Sequence, residues 1–529
     1  MVFVSRFWAE GMQRARGAAP ARRVVVIGAG IGGLVSAVLL AARGFEVTLL
    51  ESAGAPGGKM REIAIGEARI DAGPTVFTMR WAFEEIFAEA GASFADRIDL
   101  APLPILARHA WSGAERLDLH ADLEANVAAI GDFAGKREAE GYREFSRRAR
   151  AIYETLEGPF IRGARPNPVS LAARVGASKL PDLWRISPFA TLWGALGEHF
   201  RDPRLRQLFG RYATYCGSSP YAAPATLMLI AHVEQTGVWR LKGGMHGLAT
   251  ALANLARLCG ATIHYGRRVE RLIVEHGRVC GCVAADGERF EAEAVVFNGD
   301  AAALGAGGLG AEAIRATGQS RASPDSLSAL TWAIVGAASG FDLSHHNVFF
   351  SDDYRAEFDE ILKGRRLPKQ PTIYICASDR GGADASGGVE RLFCLVNAPA
   401  VGGRGQIPPR EIDACEHATF QRLDRLGLKI VSTPATTVRT GPDEFAKLFP
   451  ATAGALYGRA SHGWRASFAR PGSRTRLPGL YLAGGSVHPG PGAPMAALSG
   501  RLAAASVTAD LTSRSRFVPA AMPGGMSTR

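Results

Sequence analysis

Three glycines and one acidic residue near the N-terminus have the spacing of a phosphate-binding turn. A β-like run of aliphatic residues leads into Gly28, Gly30 and Gly33, and a helix-like apolar stretch follows. A second β-like run ends at Glu51. Gly28 permits the tight turn, Gly30 lets the backbone approach a pyrophosphate, and Gly33 lets the helix pack closely on the strand. The Glu51 carboxylate would accept hydrogen bonds from a ribose. This pattern predicts a βαβ unit that binds a dinucleotide.

A second glycine-rich block lies near the other end of the chain, at 479–485. A turn rich in Pro and Gly, 489–495, follows it and leads into a helix-like stretch of small residues. The N-terminus of that helix would point at the pyrimidine edge of a flavin and stabilise the negative charge of the reduced ring. Two such blocks indicate that the dinucleotide is FAD.

A basic glycine turn follows the first block. Gly58 is followed directly by Lys59, and Arg61 lies two positions further on. Basic side chains beside a glycine turn can close over a pyrophosphate, so we expect all three residues to contact the cofactor.

Length and composition predict several domains of the α/β class. The 529 residues are 47% hydrophobic, enough to bury a large core. Changes of pattern predict a discontinuous Rossmann-like FAD domain, interrupted twice by an α+β substrate domain. The predicted segments are 1–21 as a basic extension, 22–95, 240–302 and 466–512 as the FAD domain, 96–239 and 303–465 as the substrate domain, and 513–529 as a disordered tail.

The net charge of +11 is concentrated in two segments. Residues 1–23 hold five arginines against one acid, and residues 160–211 hold nine basic against three acidic residues. Such clustering indicates docking to an anionic surface, and the chain has no nucleic-acid module, so we expect a phospholipid membrane. An arginine-rich surface of a GC-rich genome is the alternative. Residues 1–23 have no sustained apolar core, which predicts a cytoplasmic protein.

One apolar helical face was predicted beside these basic residues. Trp184, Phe189, Leu192, Trp193 and Leu196 have spacings of three and four, and Pro188 is placed to begin a helix. We expect this face to anchor the protein in the interface without spanning the membrane, or else to belong to the substrate-domain core.

Metal chemistry is not indicated. The seven cysteines form no CxxC pair, and buried thiols of a reducing compartment are expected. The adjacent His345 and His346 are interpreted as a loop.

The glycine and acid blocks together resemble the carotenoid desaturases related to bacterial phytoene desaturase. The resemblance covers roughly 22–512 and is carried by 28–33 with Glu51, by 57–58, by 242–248 and by 480–500. It implies an FAD-dependent, amine-oxidase-like architecture and a hydrophobic carotenoid substrate. It also implies that Gly485 and Met495 approach FAD and that Val269 lies near the adenine.

The segment 494–501 is similar to the branch of that family that desaturates hydroxylated acyclic carotenoids. The phytoene branch usually has Gly-Val where this chain has Met495-Ala496, and 106–109 and 449–458 point the same way. The resemblance implies a C-3,4 desaturase of hydroxylated or methoxylated carotenoids, used in spheroidene- or spirilloxanthin-type photosynthetic pigment synthesis. It also implies association with the inner or photosynthetic membrane. The electron acceptor, oxygen or a quinone, stays open.

Catalytic side chains are hard to identify from the sequence. Flavin N5 accepts the hydride, so a carbon beside a conjugated system needs no strong acid–base set. His488 and Arg211 are weak candidates, and a structural role is expected for His488. The cluster that follows Arg211 either lines a substrate tunnel, binds a terminal hydroxyl or packs the core; it contains Tyr212, Tyr215, Gly217, Ser218, Ser219 and Pro220.

Three alternatives remain at this stage. One is a phytoene or neurosporene desaturase of the same family. Another is a flavin amine oxidase, although no flavin-linking cysteine lies near Ser486. The third is an isomerase or binder of carotenoids that performs no net oxidation.

Overall fold

The structure is a computed structural model that describes residues 22–176, 186–187, 189–317, 325–381, 388–401 and 407–515. The predicted extension 1–21 and most of the predicted tail lie outside these residues. No helix of the described part is both long and apolar enough to cross a bilayer.

Distant stretches of the chain form one five-stranded parallel sheet. Its centre is β1 (Arg23–Ile27), which pairs with β2 (Glu46–Leu50) on one side and β13 (Ala294–Phe297) on the other. The edges are β9 (Thr262–His264) and β20 (Leu480–Leu482). Parallel pairing brings the carboxyl ends of these strands to one edge of the sheet, where a doubly wound fold binds its ligand.

Both faces of this sheet are covered, as its aliphatic strands require. Val24 and Val26 of β1 face a core shared with the helices Ile31–Ala42, Gly244–Leu258 and Ala493–Ser515. The alternate residues of β1 face a second core, which is completed by the antiparallel strands β10 (Val269–Glu275), β11 (Arg278–Ala284) and β12 (Arg289–Glu291). The Ala493–Ser515 helix overlaps the first residues of the predicted 513–529 tail.

A second sheet is mostly antiparallel. Its order is β18-β14-β17-β16-β15-β6-β7, and β19 also pairs with β14. Its strands are β6 (Ile105–Ala110), β7 (Arg116–His120), β14 (Ser328–Ser339), β15 (His346–Phe349), β16 (Ile373–Ala377), β17 (Val389–Ala398), β18 (Lys429–Val431) and β19 (Thr437–Thr440).

Two small antiparallel pairs and a set of helices complete the structure. The pairs are β3 (Glu62–Ile65) with β4 (Ala68–Asp71), and β5 (Leu100–Pro102) with β8 (Trp239–Leu241). The further helices are Arg80–Glu89, Leu123–Ala134, Lys136–Leu156, Pro168–Val175, Leu192–His199, Pro203–Gly210, Leu229–Gln235, Ala301–Gly305, Tyr354–Leu362, Pro409–Arg425, Pro442–Leu448 and Ala466–Ala469. The predicted α/β class with a Rossmann-like parallel sheet is confirmed.

The helix at 192–199 places part of the apolar face in a protein core, which is one of the two interpretations that the sequence left open. It begins after Thr191, whose hydroxyl accepts from Gly194 N, and not at Pro188, which lies outside the described residues together with Trp184. Leu192 and Leu196 are fully buried in the core. The pattern identified an apolar face correctly, but protein and not lipid covers it.

Trp193 of this helix is likewise a packing residue. The centroid of its ring lies 4.7 Å from the ring centroid of Tyr221. The guanidinium carbon of Arg206 lies 4.7 Å from the centroid of the Trp193 ring. Arg204 also forms salt bridges within the protein, with Asp202 and Glu115. Two of the basic residues assigned to the docking face are therefore bound to the protein itself.

Candidate active site

The glycine turn after β1 has the geometry that its sequence predicts. Gly28 has a φ of 98°, which favours glycine. A side chain on Gly33 would collide with the carbonyl oxygen of Gly28, so helix and strand approach more closely than any other residue permits. Gly30 precedes the Ile31–Ala42 helix as its N-cap, leaving the first N–H groups of the helix directed at a ligand.

Asn298 is a site residue that the sequence did not predict. It follows β13 directly, and its side-chain Nδ2 donates to the Gly28 carbonyl at 3.3 Å. Its Oδ1 is buried without a partner among the described residues. A Cβ on Gly32 would lie 2.7 Å from this oxygen, and one on Gly484 would lie 3.1 Å from it. The amide thus lies between the two glycine blocks, and its position at the carboxyl end of a parallel strand was the available signal.

Glu51 is buried at the end of β2 and held by backbone donors. Its two carboxylate oxygens accept from Ala29 N at 2.6 Å and Ala53 N at 2.7 Å. The Ser52 hydroxyl also donates, at 3.2 Å, to the oxygen that Ala53 N binds, so it is the oxygen bound by Ala29 N that keeps a further lone pair for a ribose hydroxyl. Its own carbonyl accepts from Arg267 N at 2.7 Å, which ties β2 to the turn before β10. Val269, buried in the core at the start of β10, lies just beyond that turn, where the resemblance implies an adenine.

The residues of the basic glycine turn contact different parts of the structure. Gly58 lies against the first block, since a Cβ placed on it would be 3.2 Å from the Cα of Gly30. Lys59 instead donates from Nζ to the Leu456 carbonyl at 2.6 Å. Arg61 donates to Thr440 Oγ1 at 3.3 Å. Contact of Lys59 and Arg61 with the cofactor remains a prediction.

Burial has a direct effect on the protonation of Lys59. Its pKa is lowered chiefly by burial, and the nearby Arg470 guanidinium lowers it further, while Asp300 opposes both effects. A negative charge brought near the Lys59 amine, such as that of a reduced flavin, would therefore favour the protonated form of the amine.

The C-terminal block reaches the same region. Gly484 N donates to Ser499 Oγ at 2.7 Å, and the Gly485 carbonyl accepts from Arg470 Nη1 at 3.2 Å. Met495, in the first turn of the Ala493–Ser515 helix, lines the cavity described below. The two glycine blocks therefore converge around the partnerless Asn298 oxygen.

These features fit FAD. The close backbone approach at the glycines leaves room for a pyrophosphate, and Glu51 has free acceptor capacity for a ribose. The orphaned Asn298 oxygen can accept from a hydroxyl of the cofactor. Gly28, Gly30, Glu51 and Asn298 are thus the residues that would hold it.

A cavity of 480 Å³ begins at the turn 489–495. Its walls come mainly from aliphatic, aromatic and proline residues, including Leu156, Phe160, Ile161, Leu171, Ile186, Phe189, Leu227, Leu229, Ile230, Val233, Trp464, Phe468, Pro489, Pro491 and Pro494. An elongated apolar molecule could lie in this cavity and extend to the turn.

His488 lies behind this cavity and not on its wall. Its Nε2 is 3.0 Å from the Gly163 carbonyl, and its ring meets that of Phe160 edge-on at 4.8 Å. Burial lowers its pKa to about 4, so the ring is neutral at physiological pH. Because the Gly163 oxygen can only accept, Nε2 carries the proton. These contacts support the structural role that was expected for His488.

The cluster after Arg211 contains the polar part of the cavity wall. Tyr215 and Glu234 line the cavity, and Tyr215 donates from its hydroxyl to Glu234 Oε1. Tyr212 donates to Glu234 Oε2 at 2.8 Å from behind the wall. Arg211 is buried and donates to the Tyr215 hydroxyl at 3.3 Å. Burial is the main cause of the raised pKa of Tyr215, which keeps its phenol protonated.

The remaining members of the cluster have structural contacts. Gly217 has a φ of 62°, and a Cβ there would lie 2.7 Å from the Ser326 side chain. Ser218 Oγ accepts from Ser461 N at 2.8 Å. Sequence reasoning named Arg211 and Tyr215 but missed Glu234, which lies on another helix.

His345 lies in a bend, as the loop interpretation expects, whereas the same interpretation is wrong for His346, which is part of a strand. Both are buried, and His346 begins β15. The ligand atoms of these two histidines and Cys376 lie within 4.8 Å of one another. Each Nδ1 has an oxygen partner, the Arg380 carbonyl for His345 and the Tyr374 hydroxyl for His346. The absence of a metal remains a prediction.

Comparisons with known proteins agree with this site. Residues 31–508 match the family of flavin-containing amine oxidoreductases. A protein of Rubrivivax gelatinosus named hydroxyneurosporene desaturase is 53% identical over 512 residues, which are 96% of this chain and 97% of that protein. A 1-hydroxycarotenoid 3,4-desaturase of Flavobacterium sp. is 28% identical over 502 residues, 93% of this chain and 99% of that protein.

A solved structure shows the same fold. Cyclohexylamine oxidase from Brevibacterium oxydans superposes with a TM-score of 0.57, over 93% of this chain and all of that one, at 15% sequence identity.

Proposed function

The chain belongs to the flavin-containing amine oxidoreductases and, within them, to the carotenoid desaturases, and from that premise we propose that it introduces a C-3,4 double bond into hydroxylated or methoxylated acyclic carotenoids. The observation that carries the proposal is the 480 Å³ apolar cavity ending at the turn 489–495. The names of the Rubrivivax and Flavobacterium relatives support the substrate and the position of the bond.

FAD supplies the chemistry by accepting a hydride from the substrate chain. The protein's residues bind and orient the reactants. Gly28, Gly30 and Glu51 would hold the dinucleotide, and residues of the turn 489–495 line the cavity. The aliphatic and aromatic walls exclude water and align the extended chain by burial of its apolar surface.

No side chain on the cavity wall needs to act as a strong base. His488 is packed against Gly163 behind the wall, and Arg470 spends its N–H groups on the carbonyls of Tyr457, Arg459 and Gly485. Besides the hydride, the substrate loses one proton, from a carbon that an adjacent conjugated system activates. This arrangement favours desaturation of a polyene over reactions that need a positioned acid–base pair.

We propose that the substrate enters from an anionic membrane surface. Phe189, which is 62% exposed, also lines the cavity, and Val169, which is 79% exposed, lies on the neighbouring Pro168–Val175 helix. Arg165 and Arg174 are exposed beside them. Each basic residue near an anionic leaflet contributes about 1 kcal/mol. The protein would thus be a peripheral protein of the cytoplasmic or photosynthetic membrane face.

Anaerobic mixing of the flavoprotein with its substrate in anionic liposomes tests the function. A hydroxylated acyclic carotenoid should bleach the flavin once per turnover and shift the carotenoid absorption to longer wavelength. Oxygen or a quinone, added next, should restore the flavin colour, and this identifies the electron acceptor. A flavin that stays oxidised with hydroxylated and methoxylated carotenoids alike would contradict the proposal.

A further inference from the structure

Tyr215 and Glu234 form a polar place on the wall of the apolar cavity. Among the described residues that line the cavity, Glu234 is the single carboxylate. Burying a carboxylate beside an apolar ligand costs free energy unless the group has partners. Its position therefore calls for a functional explanation.

The contacts of Glu234 leave it able to accept one more hydrogen bond. Tyr212 and Tyr215 each donate to one of its two oxygens. A carboxylate offers about four acceptor sites, so spare lone pairs remain on both oxygens. The two phenols, with Arg211 behind Tyr215, hold the carboxylate in place, as a preorganised recognition group requires.

The other charged residue on the wall, Arg470, is engaged through both Nη atoms, which donate to the carbonyls of Tyr457, Arg459 and Gly485. It therefore braces the C-terminal block, whereas both oxygens of Glu234 keep capacity for a ligand.

We propose that Glu234, positioned by Tyr215, accepts a hydrogen bond from the terminal hydroxyl of the substrate and selects the free alcohol over its methyl ether. The inference rests on the proposed function and deepens it. An alcohol donates a hydrogen bond, whereas the ether oxygen can only accept one and so cannot bind to a carboxylate. The carboxylate thus discriminates between two substrates with the same carbon skeleton.

The position of Glu234 agrees with the site of reaction. In a 1-hydroxylated acyclic carotenoid a single carbon separates the hydroxyl-bearing carbon from C3. The group that binds the hydroxyl must therefore share the reaction space. Tyr215, Glu234 and the turn 489–495 line one cavity, so a chain bound by its hydroxyl at Glu234 would have C3 and C4 in the cavity that the turn also lines.

The test compares the alcohol, its methyl ether and the unsubstituted hydrocarbon. The wild-type enzyme should show a kcat/KM at least tenfold higher for the alcohol than for the ether, as one hydrogen bond to a charged group implies. In E234Q the amide both donates and accepts, so this ratio should fall at least tenfold. The isosteric T226V removes a different polar group from the cavity wall and serves as the matched control, with the ratio unchanged.

Substrate binding gives a readout that does not depend on turnover. Perturbation of the flavin absorption spectrum on titration with each carotenoid gives Kd values whose ratio should follow the same order. If E234Q proves insoluble, the wild-type alcohol-to-ether ratio decides alone. Equal values for the two substrates, or a preference retained by folded E234Q, would overturn the role of Glu234 while leaving desaturation intact. Turnover of the hydrocarbon alone would overturn the proposed function instead.

Discussion

The side-chain amide of Asn298 donates a 3.3 Å hydrogen bond to the carbonyl oxygen of Gly28, a residue 270 positions away. This contact joins β13 to the glycine turn after β1. The same side chain lies beside Gly484 of the C-terminal block. One amide therefore links three distant parts of the chain at the candidate cofactor site.

Asn298→Asp should weaken FAD binding at least tenfold. The substitution keeps the shape of the side chain but places a negative charge beside the pyrophosphate site and replaces the donor to Gly28 with an acceptor. Flavin occupancy after dialysis and the Kd from fluorescence titration measure the effect. Asn254→Asp, on the exposed face of a helix, adds the same charge elsewhere and should leave occupancy intact. Equal affinity in both variants would show that Asn298 is remote from the cofactor.

Gly30→Val should give folded protein without flavin. A Cβ at this position would lie 2.6 Å from Asn298 Nδ2, and the larger side chain would fill the approach to the pyrophosphate. Circular dichroism establishes folding and the visible absorption spectrum measures the flavin. Gly54→Val is the control, because a Cβ there meets no atom within 4 Å. Normal flavin occupancy in Gly30→Val would refute the assigned site.

His488→Gln should make the protein less sensitive to acid. The folded pKa of His488 is lowered to about 4, so the unfolded chain binds a proton first as the pH falls below the ordinary value of 6.5. Its contribution to stability is therefore present above pH 6.5 and declines towards pH 4. By linkage, the free energy of unfolding is lower by about 2 kcal/mol at pH 5 because of His488.

Gln retains a donor for the Gly163 carbonyl and does not titrate. Denaturant unfolding at pH 7 and pH 5 should show a smaller loss of stability in the variant than in the wild type. Turnover at neutral pH should stay within a few-fold of the wild-type rate, because His488 lies behind the cavity wall. An identical pH dependence in both proteins would contradict the low pKa, and a hundredfold loss of turnover would restore His488 as a catalytic residue.

The double variant Val169→Ser, Phe189→Ser should reduce binding to anionic liposomes several-fold, because both side chains are exposed beside the cavity. Sedimentation with liposomes measures binding, which should also fall as salt rises. Val389→Ser with Leu258→Ser removes two other exposed apolar residues and is the matched control. Equal binding to neutral and anionic liposomes, or no change in the double variant, would eliminate this surface.

The parts of the site that depend on local spacing could be predicted from the sequence. Gly28, Gly33 and Glu51 belong to one strand–helix–strand unit, so their distances along the chain fix their distances in space. Asn298 and Glu234 could not be found in this way. Each becomes a site residue only when the fold brings it to a partner on another element, Gly28 for Asn298 and Tyr215 for Glu234.

The apolar face at 192–199 had two interpretations from the sequence for a similar reason. A spacing of three and four identifies which side of a helix is apolar, but it does not say what covers that side. Leu192 and Leu196 are covered by the core of the helical region, whereas Phe189, just before the helix, is exposed beside the cavity. Lys59 shows the same limitation, since its partner Leu456 lies 397 residues away.

The most direct test of the account is the structure of the reaction product. Purified FAD-loaded protein should convert a 1-hydroxylated acyclic carotenoid into a product that has lost two hydrogens, with the new double bond at C-3,4 by NMR. That result is predicted from the apolar cavity and from the carotenoid desaturase family. Consumption of phytoene with the hydroxylated carotenoid left unchanged, or a new bond at any other position, would contradict it.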